Sequence, residues 1–174
     1  ASSIFDALVS MATFRLNEDK AEEATVVGDN EVSYKARSIY HPFLGEKAVR
    51  NNFDIQNHEY YIITGANMAG KSTFLRTLGV NYILAMNGLP VFAEEMHVSV
   101  FRLFTNMRTT DDLTHGISYF NAELLRLKQL IASLDPNVPS LIILDEILKG
   151  TNSLDKLNGS RLFLEYISER NVTG

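Results

Sequence analysis

Apolar positions recur along the chain at two spacings, and the spacing assigns most elements before any motif is considered. Phe120, Leu124, Leu127, Ile131 and Leu134 fall at four- and three-residue steps. That is the period of a helix with one buried face, predicted over residues 118–134 and broken by Pro136 and Pro139. Leu75, Leu78, Tyr82 and Met86 lie near the same spacing. They predict a helix from Phe74 to about Asn87, stopped by Gly88 and Pro90. Residues 154–170 read as a closing helix. Residues 3–16 read as an opening one, where Ser3 with Asp6 resembles a capping box and Ile4, Phe5, Leu8, Val9 and Ala12 form a stripe. Wholly apolar runs mark strands instead. Leu141–Leu144 has the composition of a strand buried on both faces. Tyr60-Tyr61-Ile62-Ile63-Thr64 reads as another. Residues 32–40 alternate loosely and predict a strand ending at His41-Pro42. Residues 48–55 are expected to pair with 59–64 through the turn Gln56-Asn57-His58. Two short strands are expected around Val98–Val100 and Arg102–Phe104. Strands alternating with helices predict an α/β fold: a mainly parallel sheet flanked by helices, with a small antiparallel portion. Residues 1–24 read as a helical lead-in and 25–174 as one domain.

Composition narrows the class. The sequence has 174 residues, 45% apolar and 21% charged, which suits one globular domain with its own core. No apolar run approaches the ~20 residues that cross a bilayer, and no segment reads as a secretion signal. There is no cysteine, so disulfides and thiolate metal sites are excluded and a reducing, cytoplasmic setting is expected. The net charge of −5 makes this chain a poor candidate for gripping a phosphate backbone by itself.

Residues 65–73 change the picture. Gly65-Ala66-Asn67-Met68-Ala69-Gly70-Lys71-Ser72-Thr73 is a complete Gly-x-x-x-x-Gly-Lys-Ser phosphate-binding loop between a predicted strand and a predicted helix. Glycines let the backbone curl so that N–H groups cradle an anion, and the helix adds the positive end of its dipole. Lys71 is the expected contact to the β- and γ-phosphates of ATP, and Ser72 the expected ligand of Mg²⁺. A chance Gly-Lys-Ser in a turn would lack the flanking strand and helix. At the end of the apolar run, Asp145-Glu146 places two carboxylates on the edge where open α/β sheets bind ligands. Asp145 is expected to orient the metal and Glu146 to activate the attacking water as general base. An acidic pair by itself is equally a solvated strand end; beside the loop it completes a P-loop ATPase. The adjacency of the two acids points to the branch that includes ABC proteins.

The whole motif set resembles the MutS family. The Asn-Met pair of the phosphate loop is shared with it. Thr110-Asp111-Asp112-Leu113-Thr114-His115-Gly116-Ile117-Ser118-Tyr119-Phe120-Asn121-Ala122-Glu123-Leu124 resembles its signature region. Asp145-Glu146 with Ile147-Leu148-Lys149-Gly150-Thr151-Asn152-Ser153 resembles its Walker B strand end and D-loop, and Ala36-Arg37 with His41-Pro42 its lead-in segment. The resemblance runs collinearly over about residues 34–170. It implies an ABC-type ATPase core that binds ATP and Mg²⁺ and forms a homodimer. Ser118 and Glu123 would act across that dimer, and Gly150, Thr151, Asn152 and Ser153 would form the D-loop. From local pattern alone, Gly116 and Ser118 favour an ordinary capped helix, and it is the resemblance that implies the role in trans. DNA would be bound by regions outside this sequence, and ATP would drive their movement, as in mismatch repair. The alternative is a DNA-structure-binding or recombination-modulating relative in which ATP is a switch. A generic ABC or SMC-type ATPase would carry Leu-Ser-Gly-Gly-Gln, which is absent. Three positions depart from the family pattern: Leu148-Lys149 in the D-loop, Ala69 where glycine is usual, and Ala48 where many members place an adenine-stacking aromatic. The family also implies a further strand and a histidine after residue 174, so the sequence reads as a fragment, one or more strands short, that binds nucleotide better than it hydrolyses it. His41, His58 and His97 read as surface or turn residues, and His115 adjoins the signature region.

Overall fold

The computed structural model describes residues 22–28, 30–63, 70–106, 117–145 and 153–174. The helix expected over 3–16 therefore lies outside the described residues. Within the span read as one domain, the chain divides into two compact units.

The first unit holds a four-stranded sheet in the order β1-β4-β2-β3, built from β1 (Thr25–Val27), β2 (Ser33–Ile39), β3 (Asn51–Gln56) and β4 (Glu95–Ser99). β1 runs parallel to β4, and β2 antiparallel to it with Tyr34 opposite Val98 and Ala36 opposite Met96. The alternation sorts the faces. Tyr34, Ala36, Met96 and Val98 are buried while Lys35, Arg37, Glu95 and His97 face water. At Ser38 the chain takes φ 53, and the phase of burial shifts so that Ile39 and Tyr40 are both inside. The Asn52 Oδ1 accepts the Ser38 N–H at 2.9 Å, which holds that unusual residue in place.

Helix α1 (Lys71–Met86) packs its Thr77, Leu78, Asn81, Tyr82 and Ala85 face into this unit. The Tyr34 hydroxyl donates to the Leu78 carbonyl at 2.7 Å and the Tyr82 hydroxyl to that of Ser99 at 3.2 Å. Asn81, wholly buried, donates to the Tyr40 carbonyl and accepts the Phe92 N–H at 2.7 Å. The helix ends as expected. Gly88, at φ 68, donates its N–H to the Ala85 carbonyl and Leu89 to that of Leu84.

The second unit is a wholly parallel sheet, β5 (Arg102–Asn106), β6 (Ser140–Leu144) and β7 (Val172–Thr173), in that order. α2 (Ile117–Ala132) connects β5 to β6, and α3 (Ser153–Ser168) connects β6 to β7. Leu127 and Ile131 of α2, Ile142 of β6, Phe163 and Ile167 of α3, and Val172 of β7 form its core. Each such side chain contributes roughly 1.5–3 kcal/mol on burial. The Tyr166 hydroxyl donates to the Lys128 carbonyl at 3.1 Å, tying α3 to α2.

One expectation is corrected. Residues 48–55 do not pair with 59–64; β3 joins β2 instead. After the turn at His58, φ 63, the chain runs beside Gly174: the Gly174 N–H donates to the Glu59 carbonyl and the Tyr61 N–H to that of Gly174. This is the bonding of one parallel rung, so 59–61 extends the parallel sheet past β7 rather than closing a hairpin. Gly174 also lies close against β6, where a Cβ on it would stand 2.8 Å from the Ile142 carbonyl oxygen. The last described strand is β7, only two residues long. The parallel core is thus partial within the described residues, three named strands beside a separate mixed sheet.

Candidate functional site

In the first unit the site is the N-terminal end of α1. Gly70 is the N-cap at φ 79, ψ 19, a left-handed conformation that glycine adopts without strain. The first intrahelical bond runs from the Phe74 N–H to the Gly70 carbonyl at 2.9 Å. Lys71, Ser72 and Thr73 make up the first turn, which contains no acidic residue. Helix starts favour carboxylates, because the dipole is positive there. A first turn with a lysine and no carboxylate is therefore a place that an incoming anion would stabilise. The Thr77 hydroxyl donates to the Thr73 carbonyl at 2.7 Å and steadies this turn. Asn81, one turn further, fixes the helix axis against Tyr40 and Phe92. Gly65, Ala66, Asn67, Met68 and Ala69 lie outside the described residues.

A pocket of about 490 Å³ opens beside Gly70, Lys71 and Thr73, within the range of small-ligand sites. Its far wall comes from the 41–52 segment, including His41, Leu44, Lys47 and Val49. A single 3₁₀ turn, Gly45–Lys47, shapes that wall and ends at Ala48, which is half-buried. Phe43 points out, 87% exposed, with its ring 5.5 Å from that of His41.

In the second unit, Asp145 follows β6 and is 7% exposed. Its N–H donates to the Asn106 carbonyl at 3.0 Å, so the ends of β5 and β6 lie side by side. The Asn106 Nδ2 is buried with no hydrogen-bond partner among the described residues. Glu123 is 6% exposed on α2, so its carboxylate, expected to act across a dimer, lies inside the protomer. α2 begins at Ile117, which puts Ser118 in its first turn rather than at its cap. Glu146, Gly150, Thr151 and Asn152 lie outside the described residues, and Ser153 opens α3. His58 lies in the turn and His97 in β4, as read from the sequence, with its Nε2 2.6 Å from Glu95 Oε1. That contact holds the Glu95 carboxyl below its ordinary value. No described helix is long and apolar enough to cross a membrane.

Sequence reading missed Asn81 and Asn106. The signal for Asn81 was a polar residue four after Thr77 within an otherwise apolar helix face. Nothing local marks Asn106; its place follows only from the pairing of β5 with β6.

The family model described as MutS domain V matches residues 61–173. The chain is similar to the DNA mismatch repair protein MutS of Caldicellulosiruptor bescii, 31% identical over 97% of this chain and 20% of that protein. It is similar to the protein of the same name from Bartonella quintana, 34% identical over 94% of this chain and 19% of that one. That of Chloroflexus aurantiacus is 37% identical over 76% of this chain and 13% of its own length. The chain spans about a fifth or less of these relatives.

Proposed function

The chain belongs to the MutS family, and from that premise we propose that it binds ATP with Mg²⁺ and hydrolyses it, driving movement of DNA-binding parts of a mismatch-repair-type protein. One observation carries the reading: the α1 N-terminus, with Gly70 in its left-handed cap and Lys71, Ser72 and Thr73 in a first turn free of acids, beside a ligand-sized pocket. Lys71 and the first-turn N–H groups hold the phosphates. The Ser72 hydroxyl and the Asp145 carboxylate are hard oxygen donors of the type that suits Mg²⁺, an ion that keeps several waters and takes few protein ligands. When bound, Mg²⁺ neutralises charge on the transferring phosphoryl group. Glu146 takes the proton from the attacking water.

The same proposal places residues 25–174 in one ATPase domain that works as a homodimer, with a cytoplasmic location. The loop leading to Ser118 meets the nucleotide of a second protomer, and Gly150, Thr151, Asn152 and Ser153 line the junction. DNA is bound outside this sequence.

Lys71→Ala tests the assignment. Nucleotide affinity measured by calorimetry should fall at least a hundredfold while the circular dichroism melt stays unchanged. Unchanged ATP affinity in a folded variant would sink the proposal.

A further inference from the structure

We propose that Lys47 is a second phosphate-binding lysine of this site, gripping the polyphosphate chain of the ligand from the 41–52 wall while Lys71 holds it at the start of α1. The proposal rests on the nucleotide reading above and concerns charge alone, with no place assigned to the base. Among the described residues that line the pocket beside α1, Lys47 and Lys71 are the fixed cations, and no carboxylate accompanies them. The other polar lining groups, two amides, two hydroxyls and the His41 ring, add no negative charge. The rest of the lining is apolar: Leu44, Val49, Ile63 and Phe74. A cleft lined by one sign of charge between low-dielectric walls focuses its field and gathers counter-ions.

The backbone sets Lys47 on that wall. It ends the 3₁₀ turn Gly45–Lys47, where its N–H donates to the Leu44 carbonyl at 3.2 Å and the Ala48 N–H to that of Gly45 at 3.2 Å. Its ammonium has no ion-pair partner among the described residues. Arg37, in the same unit, is by contrast engaged by Glu94 and Glu95. A pocket of about 490 Å³ is on the order of one Debye length across, about 8–10 Å at moderate salt, so both ammonium groups act on one ligand with little screening. A single carboxylate would occupy one of them. A chain of linked phosphates carries several negative charges and meets both, and lysine binds phosphate as a compact point charge.

The test is calorimetric titration with ATP and with inorganic tripolyphosphate, Mg²⁺ present, on the native chain, Lys47→Gln, Lys47→Arg and Lys35→Gln. Lys35 is exposed on β2 and does not line this pocket, so its variant removes the same charge without the proposed contact. Lys47→Gln should weaken both ligands by about threefold or more, the scale of one solvent-exposed charge contact. Lys47→Arg, which keeps the charge, should stay within about twofold of the native chain, and Lys35→Gln should match the native chain. A loss in Lys47→Gln no larger than in Lys35→Gln overturns the proposal. So does a loss for ATP alone, which would tie Lys47 to the nucleoside, or a native chain that binds ATP and not tripolyphosphate. A native chain that binds neither defeats the nucleotide reading itself, an outcome distinct from a failure of Lys47.

Discussion

At the scale of single residues, the first unit is organised by buried polar groups that each close a specific gap. Tyr34 is fully buried, and its hydroxyl donates to the Leu78 carbonyl at 2.7 Å, pinning β2 to the middle of α1. Burial, with the nearby Tyr82 adding to it, pushes the Tyr34 phenol well above the ordinary value. A raised folded value means that the neutral form is preferred in the fold. The stabilisation is complete below the unfolded tyrosine value, about 10, and is lost as pH rises through the folded one. Tyr34→Phe should cost about 1 kcal/mol near pH 8, the typical net value of one hydrogen bond. The gap to the native chain should then narrow as pH rises past about 10, because the variant has no phenol to ionise on unfolding. Urea midpoints at the two pH values check this, and the other tyrosines cancel in the difference. A gap that stays constant contradicts the burial-driven shift. Asn81 shows the limit of residue-level reading. In the sequence it is one polar residue among many, and only its bonds to Tyr40 and Phe92, beyond the one within the helix to Thr77, make it a bracket.

At the scale of elements, legibility followed how local the determining contacts were. α2, α3 and β6 lie within two residues of their expected bounds, because a clean apolar period or a wholly apolar run encodes them within one segment. α1 was weaker in the pattern because Thr77 and Asn81 occupy its buried face. β1 and β7, three and two residues long, carry no period to read. The hairpin expected from 48–64 failed for a different reason. Its strands were recognised in part, but alternation does not name a partner, and the partner of 59–61 is Gly174. The proposed phosphate site reads as a motif because the chemistry proposed for it depends on adjacent residues, and Gly70 shows why. At φ 79 a Cβ meets nothing within 4 Å, so Gly70→Ala strains only the backbone, costing about 1 kcal/mol of stability. The new methyl group would project into open space at the helix end, where a phosphate is proposed to sit. Nucleotide affinity should therefore fall tenfold or more, beyond what the stability loss explains. Melting and calorimetry on the same variant separate the two, and an affinity within twofold of native would remove Gly70 from the site.

At the scale of the whole molecule, the two halves of the proposed machinery fall in different compact units. Lys71 and Ser72 belong to the first and Asp145 to the second. The relatives named MutS are about five times longer or more, so this chain supplies one part of a larger assembly in any protein built like them. If the site closes only when a second copy adds the loop before α2, nucleotide and oligomeric state are linked. Anything that binds the dimer and not the monomer pulls the equilibrium by mass action. Hydrolysis would then relax the pair, and blocking hydrolysis should hold it. Glu146→Gln removes the proposed general base while keeping size and hydrogen-bonding capacity. Sedimentation should find the native chain monomeric without nucleotide and partly dimeric with ATP and Mg²⁺, and the variant more fully dimeric under the same conditions. Lys71→Ala, unable to hold the phosphates, should stay monomeric throughout. A native chain and variant that remain monomers at saturating ATP would mean that Ser118 and its loop have no role in trans. A variant that dimerises no better than the native chain would instead remove Glu146 from the hydrolytic step.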